Sequence, residues 1–234
     1  MASRQEHYLK GEPSLILWDG GPSFSLFYDY DEIRDGKISR LTNEQKALWF
    51  CRRIDMTFLE PLRRIWMSRP SGAFQELMDT TPHAPRSFSI AIMSVMLNGV
   101  EALGSFLKPE MCRPENDRDE NERVFRAFVE KYMTDWWDKR PVPGENLDLA
   151  QFLWKKFRNG IAHGFCIEKP GSLEFLEHDK FRWTSQVLQV CPIHFFEDLD
   201  RGVRSYFEDL RTKHDVLEKF GRRFNVIYPS LRQH

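Results

Sequence analysis

The sequence predicts a mostly α-helical fold carrying a small β element, and three observations lead there. Apolar residues recur at helical spacing through most of the chain from about residue 43 onward. Helix start signals, notably Thr42-Asn43-Glu44-Gln45 and Pro192, stand at the head of such stretches. After Gly164 the period shortens toward that of strands, around the turn-forming Lys169-Pro170-Gly171-Ser172. At 234 residues and 41% hydrophobic, with 19 Phe and 7 Trp, the chain can bury one core and an appended subdomain.

The order of elements follows from these signals. Residues 1–40 mix Trp18, Phe24, Phe27, Tyr28 and Tyr30 with Gly20, Gly21 and Pro22, and read as an extension of short extended pieces. Residues 41–234 form the helical domain, with a hairpin insertion around 164–190. Its first helix starts at Thr42 or Asn43 and runs on through Leu48, Ile54, Phe58, Leu62 and Ile65, with Pro61 expected to kink or divide it. Pro70, Gly72, Pro82 and Pro85 break the pattern before a second helix over roughly 87–107. That helix is apolar on nearly every side and should be central. Its one acid, Glu101, therefore needs a partner.

A charged loop over 109–119 precedes a helix over 121–137 with Val124, Phe125, Phe128, Val129 and Tyr132 on one stripe. A turn at 141–144 leads to another helix from about Leu147. Beyond Gly164, segments 165–168 and 173–176 should pair as a hairpin, with 187–190 as a third short strand. Pro192 then opens a last long helix that buries Phe195, Phe196, Leu199, Val203, Tyr206, Phe207 and Leu210. Trp136-Trp137 and the other aromatics on these stripes are expected in the core rather than on a base-stacking platform.

A formal net charge of -1 excludes a general nucleic-acid packaging role, so any RNA contact must rest on a local basic strip. Cys51, Cys112, Cys166 and Cys191 lie far apart, the amino terminus has no signal-like segment, and no apolar run is read as membrane-spanning. The expectation is a reduced, cytoplasmic protein without membrane attachment. Cys191-Pro192-Ile193-His194, with His178 and Cys166, has half the spacing of a zinc site but lacks a second pair, so neither metal nor cofactor is expected. There is no phosphate-cradling glycine loop, nucleophile elbow or dinucleotide fingerprint.

Chemistry concentrates in Lys155-Lys156-Phe157-Arg158-Asn159-Gly160-Ile161-Ala162-His163-Gly164. A guanidinium can clamp a phosphate, and an imidazole moves protons near neutral pH. At 3.6 residues per turn, Leu149, Ala150, Leu153, Trp154, Phe157 and Ile161 make an apolar face, with Lys156, Asn159 and His163 within about 60° of one another opposite it. Arg158 lies roughly 140° round from His163 and about 7.5 Å along the axis, so the two meet through the long arginine side chain, a distorted helix end or a second subunit. Gly160 and Gly164 suit close approach of another backbone, as at a twofold interface, and Gly164 equally suits a helix C-cap. Lys155 and Lys156, with Arg222 and Arg223, are the candidate basic strip for RNA.

The run Arg158-Asn159-Gly160-Ile161-Ala162-His163 resembles the signature of HEPN domains (higher eukaryote and prokaryote nucleotide-binding), an arginine, a polar residue and, after four to six intervening positions, a histidine. The likeness extends in outline to the acid-bearing apolar helix around Glu101. It implies a HEPN-like helical bundle that forms a homodimer with motif helices facing, and in many members a metal-independent endoribonuclease. Arg158 and His163 carry over as catalytic residues, Asn159 as the polar residue between them, and Glu101 as a supporting acid. The resemblance further implies RNA or a nucleotide as ligand and a toxin or defence role, restrained by an antitoxin or regulatory protein. A non-catalytic nucleotide- or partner-binding module of the same fold is the alternative.

Overall fold

A computed structural model describes residues 41–67, 84–111, 118–164 and 166–228, apart from 175, 177, 185 and 186. The expected extension over 1–40 lies outside the described residues, as do Pro70, Gly72, Pro82 and Cys112. Among the described residues the protein is mostly helical with a small three-stranded sheet, as its patterning predicts.

Helix α1 (Asn43–Ile54) starts at a reciprocal cap. The Thr42 hydroxyl accepts the Gln45 N–H at 3.3 Å, and Gln45 Oε1 accepts the Thr42 N–H at 2.9 Å. The expected division at Pro61 takes another form. A π-helical turn, Asp55–Leu59, precedes it, and α2 (Glu60–Met67) carries the proline in its first turn. The Glu60 N–H reaches back to the Asp55 carbonyl. The wider turn makes room where a proline ring would otherwise meet the carbonyl four residues earlier. The buried residues of this stretch include Phe50, Cys51, Leu59 and Leu62, whereas Leu48 and Phe58 are only partly covered.

Helix α3 (Ala84–Leu107) begins three residues before the expected start, with Pro85 in the first turn, where a missing N–H costs nothing. It is central. Met93, Met96, Leu97 and Val100 are wholly buried, and α4 (Arg118–Tyr132) packs along it. At Gly104 a β-carbon would stand 2.1 Å from the Val124 carbonyl oxygen, so glycine is what lets α4 come this close. Residues Ser89–Leu107 are long and apolar enough to cross a membrane by length and composition, which corrects the sequence expectation that no such run exists. More than half of that helix is covered by the rest of the fold.

The chain after α4 turns through a short 3-10 segment, Thr134–Trp136, and Gly144, whose φ of 80° is left-handed, to reach the motif helix. The predicted hairpin is rearranged. Strands β1 (Gly171–Leu173), β2 (Phe181–Trp183) and β3 (Leu188–Val190) form a sheet in the order β1-β3-β2, with β1 parallel and β2 antiparallel to β3. Residues 166–168 pair with the motif helix instead of a strand, because the Glu168 N–H donates to the Lys156 carbonyl at 2.9 Å. The third strand was foreseen at 187–190, but the Phe181-Arg182-Trp183 strand was not.

Pro192 opens α7 (Pro192–Thr212), which buries Phe195, Leu199, Val203 and Tyr206. The expected single last helix is two. Lys213 is extended, and α8 (His214–Ile227) folds back against α1, α3 and α7. Asp198, 4% exposed, ties the sheet to this body by accepting Trp136 Nε1 at 2.9 Å, Lys180 Nζ at 2.6 Å and Arg201 Nη1 at 2.7 Å.

Candidate functional site

The motif helix begins at α5 (Leu149–Phe152), where the Asp148 carboxylate accepts the Gln151 N–H at 2.8 Å and the Gln151 side chain answers to the Asp148 N–H. Arg126 Nη2 holds the same carboxylate at 2.5 Å. The helix then widens into a π turn, Leu153–Arg158, and resumes as α6 (Asn159–Gly164). Leu149, Ala150, Leu153, Trp154, Phe157 and Ile161 are all buried, the face assigned to them by sequence. The π turn was not foreseen, since strict 3.6-residue spacing cannot reveal it.

Arg158 sits at the junction of π turn and α6. Its Nε donates to Glu101 Oε2 of α3 at 3.0 Å, its Nη2 lies 2.8 Å from the same oxygen in an ion pair, and its Nη1 donates to Asn159 Oδ1 at 3.2 Å. Its guanidinium carbon lies 4.7 Å from the centre of the Trp154 ring. The partner that Glu101 needs is thus Arg158. Both side chains keep about a fifth of their surface exposed, 19% and 20%, so the pair is shielded without being sealed.

Asn159 and His163 are four residues apart on α6 and share a face. Arg158 reaches the Asn159 amide oxygen on that face through its Nη1, at the end of the π turn. Arg158 and His163 make no hydrogen bond to each other. His163 is exposed, and no hydrogen bond or ion pair holds it among the described residues.

The close backbone approach expected at Gly160 is present within the one chain. Gly160 needs no second subunit to explain it. A β-carbon there would lie 2.6 Å from the Cys166 carbonyl oxygen and 3.0 Å from the Glu168 nitrogen of the same chain. Gly164 does not form a left-handed cap, for its φ is not positive and it remains within α6. The return of the chain is held instead by the Cys166 N–H on the Gly160 carbonyl at 3.4 Å.

The candidate basic strip is partly neutralised. Lys155 Nζ lies 3.9 Å from Glu122 and Lys156 Nζ 3.8 Å from Glu168. The latter pairing links Lys156 to the returning chain. Arg222 is exposed on α8, while Arg223 Nε donates to Ser105 Oγ of α3 at 3.3 Å. No group of three or more His, Cys, Asp or Glu among the described residues is placed to hold a metal. Cys191 lies buried beside the Leu176 carbonyl, 3.6 Å from its Sγ, and Cys166 is exposed beside Gly164.

The feature that sequence reasoning passed over is Trp154 as the floor under Arg158. The signal was present, since the two are four residues apart, but Trp154 was assigned only to the apolar face. Comparison with protein families, curated proteins and solved structures finds nothing that matches this chain.

Proposed function

We propose that the protein is a metal-independent endoribonuclease of HEPN type, with Arg158 and His163 as its catalytic residues. The observation that carries the proposal is the Glu101-Arg158-Asn159 network, which holds a partly exposed guanidinium at one end of a helix whose next turn presents an unengaged imidazole. A purely structural ion pair has no use for the neighbouring exposed histidine, and the spacing of the two matches the signature the sequence resembles.

In this reading His163 removes the proton from a ribose 2′-hydroxyl, and the 2′-oxygen attacks the adjacent phosphorus. The bond from phosphorus to the 5′-oxygen breaks, and that oxygen leaves with a proton. The products are a 2′,3′-cyclic phosphate and a 5′-hydroxyl. Arg158 stabilises the charge that grows on the phosphate oxygens. A twofold dimer with facing motif helices supplies the partner subunit's His163 for the second proton transfer. Incubation of the protein with labelled RNA in EDTA tests this: cleavage by the parent and none by His163→Ala is the expected result.

The pairing of Lys155 with Glu122 and of Lys156 with Glu168 favours one alternative, a binding module for a nucleotide or a protein partner. A polyanion needs free cations along its path, whereas a single phosphate needs only Arg158. Tight nucleotide binding without RNA cleavage distinguishes this reading. A toxin or defence role under an antitoxin belongs to the first reading, and growth arrest on expression that His163→Ala relieves is its test.

A further inference from the structure

We infer that Trp154 is a positioning residue for Arg158, fixing the plane of its guanidinium so that two N–H groups, one on each terminal nitrogen, are presented together to a phosphate. The inference rests on the reading of Arg158 as the phosphate-binding group. A guanidinium carries five N–H donors. The Nε hydrogen is taken by Glu101 Oε2 and one hydrogen of Nη1 by Asn159 Oδ1, while Nη2 stands 2.8 Å from Glu101 Oε2 in an ion pair without donating to it. At least one hydrogen on each of Nη1 and Nη2 remains. Such a pair matches two oxygens of a tetrahedral phosphate.

Hydrogen bonds from Glu101 and Asn159 fix the edges of the group but leave it free to tilt out of plane. The ring of Trp154 removes that freedom, lying 4.7 Å from the guanidinium carbon. Trp154 is itself immobilised, 3% exposed and braced by Phe125 at 5.5 Å between ring centres. The π turn sets the pair in register, since the Asn159 N–H bonds the Trp154 carbonyl across it. Burial alone would be met by any large apolar side chain at 154. A cation resting on the ring face calls for an aromatic one.

The test compares full-length parent, Trp154→Phe, Trp154→Leu and a protein with a multiply fluorinated tryptophan at 154, which keeps the shape but weakens the negative ring face. Two readouts are taken: resolved side-chain N–H signals of Arg158 by ¹⁵N NMR, and kcat and KM for RNA cleavage in EDTA. Trp154→Phe should keep the resolved Arg158 signals and activity within about threefold. Trp154→Leu and the fluorinated protein should average those signals and lower kcat by about tenfold, the size expected for losing a partly desolvated cation–π contact. Unchanged Arg158 signals in the fluorinated protein overturn the inference, even if Trp154→Leu fails to fold. If the parent cuts no RNA, the ribonuclease reading fails while the NMR arm still decides the role of Trp154.

Discussion

Glu101 Oε2 accepts the Nε–H of Arg158 at 3.0 Å and lies 2.8 Å from its Nη2 in an ion pair, and so joins the central helix α3 to the motif helix at a single oxygen. A single acceptor shared in this way sets the direction of the guanidinium and leaves its outer edge open. Glu101→Gln keeps the shape but removes the charge that makes this contact strong, and should cost about 1–3 kcal/mol of stability by urea denaturation. If Arg158 is catalytic, RNA cleavage should fall further than this destabilisation explains. Wild-type stability in the variant would show that the contact is idle.

His163 has no described partner to lose, so His163→Ala should change stability by less than about 0.5 kcal/mol. The same substitution should abolish RNA cleavage. A large drop in thermal midpoint would mean that the imidazole is structural, and that any loss of activity reports unfolding.

Gly160→Ala should destabilise by about 1–3 kcal/mol, because its methyl group would enter the backbone at Cys166 and Glu168, which has no flexible side chain to yield. Gly164→Ala should be milder, since its nearest contact is the Cys166 sulfur at 3.2 Å on an exposed side chain. Equal effects at the two positions would contradict the account of the returning chain. Thermal denaturation of both variants decides it.

Asp209 gathers Lys213 at 2.8 Å, the Tyr132 hydroxyl at 2.9 Å and Lys131 at 3.1 Å. Burial pushes its carboxyl up, but the hydrogen bonds from Lys213, Tyr132 and Lys131 outweigh it and hold it below the usual carboxylate range. Its contribution is therefore complete above the unfolded aspartate value of about 3.9 and lost as pH falls through the lower folded value. Asp209→Asn should flatten that acidic limb of the stability profile. An unchanged acid limb in the variant would reject the assignment.

Much of the fold was legible in the sequence, because capping residues and apolar spacing are local signals. Thr42, Pro192 and the apolar stripe through Leu153 and Ile161 behave as their types require. What was not legible depends on the two π turns and on non-local pairing. The turn at Asp55–Leu59 absorbs Pro61, and the segment after Gly164 found a helix carbonyl at Lys156 in place of a strand. For the site, the residue types of Arg158, Asn159 and His163 announced themselves and Glu101 was identified as an acid in need of a partner. The contact with Trp154 was hidden, because a buried tryptophan on an apolar face looks the same whether or not a cation rests on it. The carboxylates beside Lys155 and Lys156 were equally hidden, since they come from α4 and from beyond Gly164.

The measurement that bears most directly on the proposed function is incubation of the parent, Arg158→Ala and His163→Ala proteins with labelled RNA in EDTA, with analysis of the cut ends. Cleavage by the parent to 2′,3′-cyclic phosphate and 5′-hydroxyl ends, lost in both folded variants, is the expected result. Cleavage that persists in His163→Ala, or that stops when EDTA is added, would contradict it.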